Sequence, residues 1–123
     1  MGATFGLPQF QFLLVGLQWT LLLAAIALVG GGVMGLVVAL ARVSPQPWLA
    51  RSMAGYIALF QGTPLLMQLF VVYYGLGLVG LKLPAWAAAA IGFTLNASAF
   101  LGDIWRGAIQ AVPNGQVEAA RAF

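Results

Sequence analysis

The sequence contains no cysteine and no histidine, and only two acidic residues among 123. Without cysteine there can be no disulfide and no thiolate metal site, and without histidine the usual metal ligand and the commonest acid–base catalyst are missing. We therefore expect no catalytic residues, no metal and no cofactor. The five lysine and arginine residues stand singly along the chain. Because no basic stripe is available to neutralise phosphates, nucleic acid is not an expected partner.

Apolar residues dominate the chain. Hydrophobic residues make up 63% and charged residues 6%, and the mean hydropathy is +1.01. Such a composition leaves too little polar surface to cover a soluble globule, so it predicts an all-α membrane protein. A helix needs about 20 apolar residues to cross a bilayer. Three transmembrane helices are predicted, at about 12–41, 53–81 and 85–104, the last with Pro84 at its first turn.

The few cations predict how the chain crosses the membrane. Arg42 and Arg51 lie between the first two predicted spans, Lys82 lies between the second and third, and Arg106 and Arg121 flank the C-terminal segment. The positive-inside rule then places the N-terminus outside, the Arg42 loop inside, Lys82 outside and the C-terminal segment inside. Four tryptophans fall at or near the span ends: Trp19, Trp48, Trp86 and Trp105. An interfacial belt with each indole N–H in water is favoured, and chance placement or packing in a core is the alternative.

A glycine run lies inside the first predicted span. Gly31 and Gly35 are four residues apart and share a helical face, which permits close approach of another helix. A phosphate cradle is the alternative, but no Gly-Lys-Ser or Gly-Lys-Thr follows. The sequence has no Walker motif, so any ATP chemistry must belong to another chain.

Pro64 divides the second predicted span. Proline removes one backbone donor and clashes with the carbonyl four residues earlier, so the helix must bend or open there. Thr63 and Gln68 can satisfy the groups that this frees. Two interpretations remain open: a static kink that fits the helix into its bundle, or a bend at a cavity or gate.

The third predicted span carries a polar face. Asn96 lies near mid-membrane, where contact with lipid is costly, so this face should look into a bundle or a wet cavity. Asn96 either joins helices or lines a substrate path. Asp103 either pairs with Arg106 as an interfacial anchor or contacts a ligand or gate. The residues that share the face are Gly92, Asn96, Ala99 and Asp103.

Residues 107–123 form a polar element after the apolar blocks. Pro113 should end the preceding helix, Asn114 or Gly115 should cap a new one, and Glu118 should lie in its first turn, near the positive end of the helix dipole. Ala119 and Ala120 would leave a smooth, shallow surface. Such an element outside the bilayer is expected to dock a soluble protein.

Several of these segments together resemble the permease subunits of bacterial ABC importers for polar amino acids, of the histidine/glutamine type. The family usually has arginine at position 61, glutamate at 103 and often lysine at 114, where this chain has Gln61, Asp103 and Asn114. The segments that carry the resemblance are Gln61-Gly62-Thr63-Pro64-Leu65-Leu66, Leu95-Asn96, Arg106-Gly107-Ala108-Ile109, Pro113-Asn114-Gly115-Gln116 and Glu118-Ala119-Ala120.

The resemblance implies a single transmembrane permease domain over 1–123, C-terminally truncated, in a bacterial inner membrane. It implies an ATPase subunit, a second permease subunit, a periplasmic or lipoprotein solute-binding protein, and an amino acid as substrate. The element at 107–123 would be the start of the cytoplasmic coupling helix that docks the ATPase, through Gly115, Gln116, Glu118, Ala119, Ala120 and Arg121. Candidates for the substrate path or gate are Thr63, Pro64, Gln68, Asn96 and Asp103.

Two other functions compete with this one. A small helical structural or assembly subunit of another membrane complex would explain the composition, but not the Pro-x-Gly-Gln-x-Glu-Ala-Ala run. An intramembrane enzyme would need an activated nucleophile, and Ser98 has no histidine or lysine within the spans to serve as its base.

Overall fold

The computed structural model describes residues 6–123, and within them it contains five α-helices. Two are long and apolar enough to cross a membrane, and a bent pair of shorter helices between them can supply a third crossing. The fold class is therefore all-helical, as predicted. The helices are α1 (Leu7–Arg42), α2 (Pro47–Gly62), α3 (Leu65–Leu78), α4 (Ala85–Gln110) and α5 (Asn114–Arg121).

The predicted spans correspond to these helices with different bounds. The first lies within α1, which begins earlier because Pro8 stands in the first turn, where its missing N–H needs no partner. The second falls on two separate helices. The third lies within α4, which continues to Gln110, so the beginning of the predicted 107–123 element belongs to α4.

Helices α1 and α4 run parallel and make the most extensive contact in the structure. The ring of Trp19 lies tilted against that of Trp86, with ring centroids 5.9 Å apart. Further along both helices, a Cβ placed on Gly31 would lie 2.5 Å from the Cβ of Ala97. Since real Cβ contacts are never that short, glycine is required for this approach. The predicted role of the glycine run in helix packing is confirmed.

Between these two helices the chain bends sharply at Thr63–Pro64. Helices α2 and α3 meet there at 110°, and we call the bend and the residues around it, from Phe60 to Gln68, the elbow. Because α1 and α4 point the same way, the connection between them must bring the chain back to the side from which α1 starts. Helices α2 and α3 together therefore make the return crossing, since α3 alone has only 14 residues.

The turn after α3 depends on one glycine. Gly80 has a φ of +94°, the one positive φ among the described residues. Its N–H donates to the carbonyl of Gly77, and the N–H of Leu81 donates to that of Leu76. These two bonds form a Schellman motif, which satisfies the last carbonyls of α3. The next helix, α4, begins after its N-cap residue Pro84.

Trp105 differs from its predicted interfacial role. Its indole N–H donates to the backbone carbonyl of Gly32 on α1, at 3.2 Å. This tryptophan therefore links α4 to α1 instead of placing its N–H in water.

Candidate functional site

The elbow is held by side chains of its own residues. Pro64 cannot donate to the carbonyl of Phe60, and Gln68 does so instead, with Nε2 3.0 Å from that oxygen. The same nitrogen lies 3.1 Å from the carbonyl and 2.7 Å from Oγ1 of Thr63. The Thr63 hydroxyl donates to the carbonyl of Leu59 at 2.8 Å. The prediction that Thr63 and Gln68 satisfy the groups freed by Pro64 is confirmed.

Asn96 joins the elbow to α4. Its Nδ2 donates to Oε1 of Gln68 at 2.8 Å. Asn96 is half-buried, while Gly92 and Ala99 on the same face are buried. The polar face of α4 therefore turns inward, as predicted, and within this chain Asn96 joins two helices.

A second hydrogen-bonded link connects α2 to α4. The Tyr56 hydroxyl lies 2.6 Å from Oγ of Ser98 and 3.2 Å from the carbonyl of Leu95. Ser98 is fully buried, and its hydroxyl also lies 2.7 Å from the Leu95 carbonyl. This serine is therefore part of a packing contact and has no open approach for a substrate.

Asp103 forms the third link. Its carboxylate accepts from Arg106 at 2.7 Å and from Nε2 of Gln61 at 3.2 Å. Arg106 also donates to Gln110. The predicted pair with Arg106 is confirmed, and the contact with Gln61 adds a tie to the last turn of α2.

A groove of about 210 Å³ lies beside the elbow. Its surface is almost entirely apolar, which does not suit a zwitterionic amino acid, because a charged group needs hydrogen-bonding partners when it leaves water. The groove alone is therefore not a polar solute site. It is lined by Leu59, Phe60, Thr63, Met67, Gln68, Val71 and Val72.

Helix α5 carries the predicted docking residues away from these contacts. Every residue from Ala111 to Phe123 is exposed, and among the described residues no side chain of α5 takes part in a hydrogen bond or ion pair. Pro113, not Asn114 or Gly115, is the N-cap. Glu118 consequently lies in the second turn, so its predicted place in the first turn is wrong. The exposed residues include Gly115, Gln116, Glu118, Ala119, Ala120 and Arg121.

The predicted residues thus form two groups. Thr63, Pro64, Gln68 and Asn96 meet at the elbow, whereas Asp103 lies seven residues further along α4, about 10 Å away. Tyr56 and Ser98 were not predicted as a link, because nothing in one sequence indicates which hydroxyls of distant helices will pair. No group of three or more His, Cys, Asp or Glu side chains suited to a metal lies within residues 6–123.

Comparison with known proteins identifies the family. Residues 31–123 match the family described as binding-protein-dependent transport system inner membrane component. The chain belongs to this family. A match over most of the chain is not expected for an unrelated structural or assembly subunit, so it favours the permease interpretation over that alternative.

Individual relatives agree with this assignment. The chain is 38% identical to the probable amino-acid ABC transporter permease protein YckA of Bacillus subtilis, covering 95% of this chain and 52% of the relative. It is 38% identical to the arginine transport system permease protein ArtQ of the same organism, covering 95% and 54%. The putative glutamine transport system permease protein GlnP of Rickettsia bellii is 38% identical, with coverage of 94% and 54%. The chain spans about half the length of these relatives.

One solved structure shares the fold. It is described as the crystal structure of an amino acid ABC transporter with histidines, and it superposes on this chain with a TM-score of 0.80 at 36% identity. The superposition covers 99% of this chain and 58% of that one. The arrangement of α1, the elbow, α4 and α5 is therefore similar to part of an ABC transporter.

Proposed function

We propose that this chain is part of a membrane permease subunit of an ABC importer that carries a polar amino acid across the bacterial inner membrane. Relatives named for arginine and glutamine transport support this solute class. Transport would proceed by alternating access, and the permease would not itself be an enzyme. ATP would be hydrolysed by a separate ATPase subunit. A second permease subunit and a periplasmic or lipoprotein solute-binding protein would complete the assembly.

The exposed surface of α5 is the observation that carries this proposal. It is a short polar helix placed beyond the apolar helices, and its side chains make no polar contact with the rest of the described chain. Ala119 and Ala120 leave a shallow surface against which a larger protein can fit closely. Gly115, Gln116, Glu118 and Arg121 would supply polar contacts around it. We assign this surface to docking of the ATPase.

The elbow supplies a gate for the same function. It is joined to α4 by hydrogen bonds of individual side chains, which can break and re-form. Thr63, Pro64, Gln68 and Asn96 would then be gate residues, and Asp103 would tie the end of α2 to the segment of α4 that leads to α5. Movement of a docked ATPase could reach the elbow through this tie.

Tryptophan substitution in α5 tests the docking assignment. Ala119→Trp and Ala120→Trp place a ring where a fitted contact has no room, and overpacking costs roughly 1–3 kcal/mol, or about 5- to 150-fold in affinity. We expect loss of ATPase retention and of solute-stimulated hydrolysis, with normal membrane insertion. Ala108→Trp is the control, because Ala108 is equally exposed but lies on α4. ATPase recovered at wild-type yield with both α5 variants would refute the assignment.

Cysteine labelling tests the orientation that docking requires. The chain contains no cysteine, so single introduced thiols report without background. With the N-terminus outside, a cysteine replacing Leu83 should react with an impermeant reagent in intact cells, whereas one replacing Gln46 or Asn114 should react only after permeabilisation. Labelling of position 114 from outside would contradict a cytoplasmic docking surface.

A further inference from the structure

Gln68 bridges three separate segments with one side chain. It is 8% exposed. Its Nε2 faces the Phe60 carbonyl and both oxygens of Thr63, while its Oε1 accepts the hydrogen bond from Asn96. One end of the amide therefore caps the break in the helix, and the other end holds the neighbouring helix.

We propose that Gln68 is a positioning residue that sets the angle of the elbow and also fastens the elbow to α4. During transport, the elbow would move relative to α4. The bond between Gln68 and Asn96 then breaks, while the bond between Gln68 and the Phe60 carbonyl stays; this step rests on the proposed function. Gln68 then moves together with the elbow, and the elbow separates from α4 at Asn96.

The two ends of the amide differ in what their loss would expose. Breaking the cap would leave the carbonyl of Phe60 without a donor inside an apolar segment, because Pro64 has none to offer. Breaking the bond to Asn96 separates two side chains and leaves the backbone hydrogen bonds of both helices in place. An average interhelical side-chain bond in a membrane changes an equilibrium only about threefold, which is small enough to reverse in each cycle.

Contact with the solute does not explain this geometry. A glutamine amide has two N–H groups, and three acceptors within the chain surround them. No donor of Gln68 is left for a carboxylate ligand, and the adjacent groove is apolar. Changes at this position should therefore alter how readily the elbow moves and leave solute affinity unchanged.

Four variants and one control test the two ends of the amide separately. Asn96→Leu removes the link to α4 and keeps the cap. Gln68→Leu removes both, so the double variant should be no worse than Gln68→Leu alone, as expected for two residues that act through one bond. Exchanging the amides, Gln68→Asn with Asn96→Gln, keeps the combined reach and should restore the link in part. Thr94→Val is the matched control, since Thr94 lies on α4 but packs against Gly30 of α1.

Amide hydrogen exchange of the purified chain tests the positioning. Asn96→Leu should raise exchange in α3 about threefold and leave the α1–α4 contact unchanged, and Gln68→Leu should extend the increase across the elbow from Phe60 to Gln68. Thr94→Val should leave α3 unchanged. Unchanged exchange in α3 with Asn96→Leu, or fully additive effects in the double variant, would overturn the proposal.

Transport by the chain assembled with its partner subunits tests the moving step. Asn96→Leu should change the maximal rate about threefold at constant KM, and the exchanged pair should recover part of that change. A changed KM at constant maximal rate would assign Asn96 to solute binding and refute the positioning role of Gln68. Absence of transport by the unmodified assembly would instead refute the proposed function, and the exchange measurements would still decide whether Gln68 positions the elbow.

Discussion

Helix α4 makes two different kinds of contact on its two sides. Toward α1 the contact is between backbones: an added Cβ on Gly35 would lie 2.9 Å from the backbone nitrogen of Gly102. Toward α2 and α3, Gly92 packs against the flexible end of the Leu69 side chain, and three side-chain hydrogen bonds join α4 to Gln68, Tyr56 and Gln61. Close backbone packing has one fitted arrangement, whereas separate polar links can be exchanged one at a time. The comparison suggests a fixed pair of helices and a movable elbow.

The largest effect should come from removing the amide at the elbow. Gln68→Leu leaves the Phe60 carbonyl and the Thr63 carbonyl without their donor, and each such group costs about 1–3 kcal/mol. We expect the free energy of unfolding, measured by denaturant titration in micelles, to fall by more than for any other single variant considered. Met67→Leu is the control, because Met67 is next in sequence, exposed and apolar. Equal stability of the two would show that the elbow does not depend on the amide.

A methyl group at the α1–α4 contact should have the next largest effect. Gly31→Ala places a Cβ 2.5 Å from that of Ala97, so the helices must separate, at about 1–3 kcal/mol. The neighbouring Gly32→Ala is the matched control, since a Cβ there meets nothing within 4 Å. Thermal unfolding in micelles should distinguish the two. If Gly31→Ala is as stable as Gly32→Ala, the contact is not as close-fitted as described.

Loss of one hydroxyl should weaken the α2–α4 link moderately. Tyr56→Phe keeps the ring and removes the bond to Ser98, which still has the Leu95 carbonyl as acceptor. We expect a loss of about 0.5–1.5 kcal/mol. Tyr74→Phe, at an exposed tyrosine of α3, should change little. A double-mutant cycle with Ser98→Ala measures the coupling, and zero coupling energy would show that this pair does not hold α2.

The smallest change in stability is expected at Asp103, which contacts Gln61 at the end of α2 and Arg106 on α4. Asp103→Asn removes the ion pair with Arg106, in which both side chains are partly exposed. Exposed pairs contribute only about 0.2–1 kcal/mol, and salt screens them. Stability should fall slightly at low ionic strength and become equal to that of the unmodified chain at high salt. A loss that persists at high salt would contradict a screened, partly exposed ion pair as the source of the effect.

The sequence predicted those features that depend on local rules. Composition indicated the membrane, Pro64 indicated the break and its partners Thr63 and Gln68, and the glycine spacing indicated the packed face. The 110° bend and the Tyr56–Ser98 link could not be predicted, because both depend on which helices become neighbours. Glu118 was expected in the first turn because Asn114 or Gly115 was taken as the cap, whereas the backbone places the N-cap one or two residues earlier, at Pro113, without any side-chain hydrogen bond.

Two distances measured in one assembly test the contrast between the fixed pair and the movable elbow. Spin labels on cysteines at the exposed positions Val71 of α3, Val29 of α1 and Phe100 of α4 can be paired without interference, since the chain has no native cysteine. On adding ATP to the chain assembled with its ATPase, the Val71–Phe100 distance distribution should shift, and the Val29–Phe100 distribution should stay as it was. A shift of the Val29–Phe100 distance with an unchanged Val71–Phe100 distance would contradict a fixed α1–α4 pair and a movable elbow.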